Sequence, residues 1–265
     1  MTYFTHEYQI VNLAIRKANN NIILLFSTLL FLLATPTQAQ DKGKLNVLFM
    51  ISDDLTTTAI SSYENRASQT PNIDQLAAKG TQFTKAYCQY PVCGPSRASM
   101  MFGYYPNATT TYGYVSGREN VGEKRQSWAQ LFKDNGYYTA RVGKIFHMGS
   151  VDIMKGRDGK DDSASWTARY NSPAPEVHAK GSRELVQNNP FGLLEISNDT
   201  NWNGGNQINI VKTIENEIHT DAETANKVSE LLRLHKNEPF FIAAGFFRPH
   251  VPFVAPKSSF EDYPY

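Results

Sequence analysis

The run Leu45-Asn46-Val47-Leu48-Phe49-Met50-Ile51-Ser52-Asp53-Asp54 decides the fold class of this chain. Leu45 to Ile51 is nearly continuously apolar. Such a run predicts a central strand covered on both faces, as in a parallel sheet. It stops at two adjacent carboxylates that repel each other. Either a turn solvates them or a cation neutralises them. In open α/β sheets, ligands gather outside the carboxyl ends of the strands. Hard divalent cations prefer carboxylate oxygens. Asp53 and Asp54 are therefore candidate metal ligands, with a solvated turn as the plainer alternative.

Two further apolar runs carry polar residues to the same kind of edge. Tyr137 to Val142 leads into Gly143-Lys144-Ile145-Phe146-His147. Phe240 to Ala244 ends in Gly245 and leads to Arg248-Pro249-His250. A Lys and a His three residues apart can face one anion; a surface Lys and a packed His are the alternative. Thr81 to Tyr87 reads as another strand.

Three helices separate these runs. Thr70 caps one that has Pro71 in its first turn, Ile73, Leu76 and Ala77 on one face, and Gly80 as its stop. Ser127 to Asn135 is the second, with Trp128, Leu131 and Phe132 on one face and Gly136 beyond it. The third opens on a Thr220/Glu223 capping box and continues through Ala225, Val228, Leu231 and Leu232. Residues 148–216 are rich in Gly, Asn, Asp and Ser and predict loops and short strands over an active-site face. Strands alternating with helices predict α/β, a largely parallel central sheet flanked by helices on both faces.

Pro91-Val92-Cys93-Gly94-Pro95-Ser96-Arg97 reads as a turn running into a helix. Pro95 suits a first helical position, Ala98 to Phe102 continue the helix, and Gly103 ends it. Cys93 then lies at or just before a helix N-terminus, where unpaired N–H groups and the helix dipole favour negative charge. Three readings stay open at this point. Cys93 is structural, or it pairs with Cys88 in an oxidising compartment, or it is a thiol activated by the helix end.

Cys93-Gly94-Pro95-Ser96-Arg97 together with Ile51-Ser52-Asp53-Asp54, Gly143-Lys144-Ile145-Phe146-His147 and Arg248-Pro249-His250, in that order, resembles the type I sulfatases of the alkaline phosphatase superfamily. The resemblance runs from about Leu45 to Tyr265. The Lys-Ile-Phe-His form and the Arg-Pro-His-Val-Pro-Phe stretch look most like the iduronate 2-sulfatase branch. It implies that a formylglycine-generating maturation enzyme converts Cys93 to formylglycine. One hydroxyl of the hydrated aldehyde would attack sulfur and the other would expel sulfate, which a thiol has no second hydroxyl to do. It further implies that Asp53, Asp54 and modified Cys93 bind Ca2+, with Mg2+ the lesser alternative. Arg97 would hold the formylglycine hydroxyl. Lys144, His147 and His250 would bind sulfate or protonate the leaving alcohol, the acid among them being undecided. The implied substrate is a sulfated saccharide, such as a 2-O-sulfated uronic acid in a glycosaminoglycan-like glycan. The family's remaining metal ligands and a further Lys find no match here. Residues 40–265 therefore read as the N-terminal portion of a sulfatase catalytic domain. A phosphonate or phosphate-ester hydrolase of the same superfamily and a non-catalytic exported binding fragment are the alternatives.

Composition narrows the classes further. Lys and Arg number 26 against 25 Asp and Glu. No polybasic patch calls for a nucleic-acid partner. Two cysteines are too few for a disulfide scaffold. At the N-terminus, Arg16 and Lys17 precede an apolar run from Ile22 to Ala34, and Thr37-Gln38-Ala39 follows. This predicts a signal peptide over residues 1–39, cut after Ala39. The run is shorter than the roughly 20 residues of a spanning helix, so no stable membrane span is expected after cleavage; an uncleaved anchor is the alternative. The expected location is periplasmic or extracellular, or lysosomal in a eukaryote. Asn107-Ala108-Thr109 is a glycosylation sequon, meaningful only in a eukaryotic secretory pathway.

Overall fold

The structure is a computed structural model and describes residues 43–263 apart from 64, 66, 115–116, 150–151, 154, 160, 174–180, 186–208, 214–217 and 252. The expected signal peptide, 1–39, lies outside the described residues. Along the chain the elements are β1 (Val47–Ser52), α1 (Pro71–Lys79), α2 (Cys93–Phe102), α3 (Pro106–Thr109), α4 (Gly117–Val121), α5 (Trp128–Asp134), β2 (Tyr138–Gly143), β3 (Ala168–Tyr170), β4 (Gly181–Leu185), β5 (Asn209–Thr213), α6 (Thr220–Leu234), β6 (Phe240–Phe246), β7 (Phe253–Pro256) and α7 (Ser258–Glu261).

Four strands form an all-parallel sheet in the order β1-β6-β2-β3. β6 is apolar throughout because it is covered on both sides. Its residues alternate: Phe241 and Ala243 enter one core, and Phe240, Ile242 and Ala244 enter the other. The first core is aromatic. Trp128 of α5 sits edge-on between Phe49 and Phe241, each ring centroid 4.9 Å away, and Phe132 stacks on Phe241 at 5.0 Å. Each such pair adds about 0.5–1.5 kcal/mol to the burial of its rings. The second core is aliphatic, with Val228 and Leu231 of α6 packed on Ala140, Val142, Ile242 and Ala244. Helices thus flank both faces, as the strand–helix alternation predicts. A second sheet, in the order β4-β5-β7, pairs β4 with β5 antiparallel and β5 with β7 parallel.

The structure corrects several local expectations. β1 is an edge strand of the described sheet, not a central one. Val47, Phe49 and Ile51 pack on the aromatic core, while Leu48 and Met50 are 40% and 50% exposed. An apolar run shows what a strand can bury, not which neighbours are present. Thr81 to Tyr87 forms no strand, and Phe83 and Tyr87 are exposed. Thr70 stands at the N-cap of α1, but its hydroxyl bonds the Asp74 carboxylate at 3.0 Å instead of a backbone N–H of the helix. Thr220 is the first residue of α6, behind His219 as N-cap, and donates to the Ser172 carbonyl at 2.9 Å. The helix expected from Ser127 begins at Trp128, with Ser127 as its N-cap, accepting from the Gln130 N–H at 3.0 Å. Among the described residues, no helix is long and apolar enough to cross a membrane.

Candidate active site

The parallel register sets the carboxyl ends of β1, β6 and β2 side by side, with Ser52 opposite Phe246 and Gly143 opposite Gly245. Backbone bonds continue the ladder past the strand ends. Asp53 N–H donates to the Phe246 carbonyl at 3.1 Å, and Lys144 N–H to the Gly245 carbonyl at 3.0 Å. This closeness requires glycine. Gly143 has φ +76°, and a Cβ there would meet the Gly245 oxygen at 2.1 Å. A Cβ on Gly245 would meet the Lys144 oxygen at 2.2 Å.

Beneath the cleft lies a buried charge network. The Asp53 carboxylate receives Arg97 Nη2 at 2.7 Å on one oxygen and Lys144 Nζ on the other. Arg97 also donates to the carbonyls of Lys144 at 2.6 Å and Ile145 at 2.9 Å. One guanidinium therefore ties α2 to the ends of both β1 and β2. Burial by itself would push the Asp53 carboxyl up; the Arg97 and Lys144 charges and hydrogen bonds outweigh it and hold the carboxyl below its ordinary range. Asp54 takes a left-handed φ of +62°, a conformation Asp tolerates better than most residues. The two carboxylates part company there: Asp53 is buried against its cations and Asp54 opens into the cleft.

The cleft holds about 510 Å³ and is lined by Asp54, Cys93, Tyr114, Lys144, His147, Met148, Phe247 and His250, among others. Cys93 is the first residue of α2, so the helix starts two residues before Pro95. Its Sγ lies 3.4 Å from His147 Nδ1. Burial pushes the thiol up, and Lys144 and Arg97 do not reverse that. A raised thiol argues against a standing thiolate at this helix end. Cys88 and Cys93 are both free, so they form no disulfide. Burial, then the Lys144 charge, lowers His147 to about 4. At neutral pH its ring is neutral. His250 Nδ1 faces the Val251 carbonyl at 2.8 Å, while Nε2 lies 3.8 Å from Asp54 Oδ2. That carbonyl can only accept, so Nδ1 carries a proton and Nε2 is the exchangeable position.

Asp53 and Asp54 have the oxygen chemistry a hard cation needs. Both Asp53 oxygens are engaged by Arg97 and Lys144, however, and among the described residues no group of three or more His, Cys, Asp or Glu is arranged to hold a metal. Calcium takes about six to eight oxygens. The described residues thus fit as part of a cation site, not a whole one.

Structure brings together every residue the sequence singled out, and adds some that it did not. Phe247 is buried at the centre: Lys144 Nζ lies 5.5 Å from its ring, and His250 stacks on it at 5.1 Å. Tyr114 packs on His147, ring centroids 5.1 Å apart. Its loop reaches α2 because residue 94 is glycine: a Cβ there would meet the Gly113 oxygen at 2.4 Å. The glycine inside the Cys-x-Pro-Ser-Arg pattern was the available signal, since a close backbone approach needs one.

Comparison with known proteins agrees with this geometry. The family model described as Sulfatase matches residues 45–265, and the chain belongs to the sulfatase family. It is 32% identical over 233 residues to a sulfatase of Formosa agariphila, covering 85% of this chain and 43% of that protein. It is 32% identical over 244 residues to human iduronate 2-sulfatase, covering 91% of this chain and 42% of the relative. A solved structure in complex with its substrate D-glucosamine-2-N,6-O-disulfate superposes with a TM-score of 0.54 at 20% identity, covering 84% of this chain and 39% of that one. Solved neighbours of this kind share the fold, the alkaline-phosphatase-like α/β architecture. The chain spans about two fifths of the length of these relatives.

Proposed function

We propose that this chain carries the nucleophile-bearing half of a sulfate-ester hydrolase that acts on a sulfated glycan, in the manner of an iduronate 2-sulfatase. The observation that carries this reading is the meeting of Cys93, Lys144, His147 and His250 in one cleft at the carboxyl ends of the parallel strands. They come from three segments, Cys93 from the start of α2, Lys144 and His147 from the turn after β2 and His250 from the turn after β6, and together they suit a tetrahedral anion beside an oxygen nucleophile. The ammonium of Lys144 attracts the sulfate oxygens. His147, kept neutral, can orient or accept from the group at position 93 without adding charge. His250, with Nδ1 held by a carbonyl, is placed to give a proton from Nε2 to the departing alcohol oxygen. Arg97 fixes Asp53 and the 144–145 turn, and by resemblance also meets the hydroxyl at position 93.

Formylglycine at position 93, made by a maturation enzyme, would supply a hydrated aldehyde with one hydroxyl to attack sulfur and a second to expel sulfate. The raised thiol of unmodified Cys93 supports this over direct thiol chemistry. A hard divalent cation, Ca2+ before Mg2+, would take oxygens from Asp53 and Asp54 and offset charge on the sulfate. Export follows from the signal-peptide reading of residues 1–39.

The test is the mass of the tryptic peptide Ala86 to Arg97, alkylated, from protein made in its native host. An aldehyde at Cys93 beside an alkylated Cys88 is expected. In matured protein, sulfate esters should turn over faster than phosphate esters, and Cys93→Ala should reduce turnover to background. Two alkylated thiols in protein that still hydrolyses sulfate esters would overturn the formylglycine reading.

A further inference from the structure

Asp221 lies outside every motif of the sequence, in the first turn of α6. Its carboxylate accepts two backbone N–H groups at once, Phe247 at 2.7 Å and Arg248 at 2.9 Å. Those residues begin the turn that leaves β6 and carries His250 into the cleft. After Phe246 the ladder has ended, so these N–H groups have no strand to donate to. An acceptor must come from elsewhere, because a buried unpaired donor costs about 1–3 kcal/mol. The first turn of a helix suits it, since the dipole there favours a carboxylate. Burial pushes the Asp221 carboxyl up, and the two N–H groups act against that.

We infer that Asp221 is the positioning residue of the cleft: by gripping both N–H groups it fixes the turn that sets Phe247 beneath Lys144 and His250 across from Asp54. Its two oxygens take successive N–H groups, which fixes the direction of the turn as well as its place. Phe247 then serves as the platform on which His250 stacks. A displacement of about 1 Å in a catalytic group can cost on the order of a hundredfold in rate. The catalytic consequence rests on the sulfatase reading; the anchoring does not.

The experiment labels the histidine rings of the full chain with 13C and follows them by NMR. His250→Gln identifies the His250 signal, and His235, stacked on Tyr138, is the internal reference. In Asp221→Ala the His250 signal should shift and broaden while His235 stays in place. Asp221→Asn keeps one carbonyl acceptor and should give an intermediate spectrum, which also serves if the Ala variant folds poorly. An unchanged His250 signal in either variant overturns the inference. In matured protein, Asp221→Ala should lower kcat about ten- to hundredfold with KM nearly constant, and add no further loss to His250→Ala. Additive losses would mean that Asp221 does not act through His250. Displaced His250 signals in the Asp221 variants, together with no sulfate-ester turnover by the matured wild-type protein, would leave the anchor standing and remove the sulfatase reading alone.

Discussion

Two buried charge networks flank the end of β2, and they do different things. Around Asp53, the Lys144 ammonium meets a carboxylate, and Lys144 also lines the cleft. Around Arg141, also buried, the guanidinium is filled. It donates to Asp161 at 2.6 Å, Asp158 at 2.8 Å, Asn171 at 2.7 Å, and the carbonyls of Gly143 and Tyr170 at 3.2 Å each. An Arg has five N–H donors in a fixed fork, and all three nitrogens of this one are turned onto the protein itself: Nε to Asp161, Nη2 to Asp158, and Nη1 to Asn171 and the two carbonyls. A buried charge is therefore not by itself a sign of chemistry. The difference is whether the charged residue also lines a space that a ligand can enter.

Paired substitutions should split these roles. Lys144→Met is expected to lower sulfate-ester turnover by at least about a hundredfold, the scale of losing one charge-stabilising donor. Its folding loss should be moderate, because Asp53 keeps Arg97. Arg141→Met should do the reverse. It leaves buried Asp161 with only Arg169 at 4.0 Å and the Trp166 indole N–H at 3.4 Å, so chemical denaturation should show a loss toward the lower end of about 3–5 kcal/mol, with turnover per folded molecule largely kept. Equal activity losses in the two folded variants would erase the distinction.

A smaller effect tests the backbone that places both networks. Gly143→Ala puts a Cβ into the Gly245 carbonyl at a positive φ, and strain of this kind costs about 1–3 kcal/mol. A lowered denaturation midpoint with an unchanged m-value is the expected result.

A further test is in pH. His147 is lowered to about 4 in the folded protein, against roughly 6.5 unfolded. Between those values the unfolded chain binds more protons, so stability falls as pH drops from about 6.5 to about 4 and levels off below. In His147→Gln this contribution should vanish, flattening that part of the melting-temperature profile. The loss of the Asp53 ion pairs lies further down, as pH falls through a carboxyl held below its ordinary range.

How far the sequence could be read follows from which interactions are local. The helix at Ser127 could be placed because its apolar face repeats within a few residues and its cap bond spans three. Cys93 could be placed near a helix start because proline and glycine bracket that helix. Thr220 was misread because its partner, Ser172, lies 48 residues away. Thr81 to Tyr87 has a strand's composition but pairs with no strand among the described residues. β1 has the apolar content of a central strand, yet stands at the edge of the described sheet. Asp221 gave no signal, because what it grips is backbone that any sequence carries.

The sequence by itself determined the α/β class and the strands that end in polar residues, because periodicity and residue chemistry are written along the chain, and its ordered motifs carried the resemblance to sulfatases. Only the tertiary structure decided that Asp53 is locked between Arg97 and Lys144 while Asp54 opens to the cleft, that His147 is held neutral, and that Phe247 and Asp221 seat His250. Those outcomes depend on burial and on partners brought from separate strands and helices, and a carboxylate or an imidazole takes its behaviour from that surrounding.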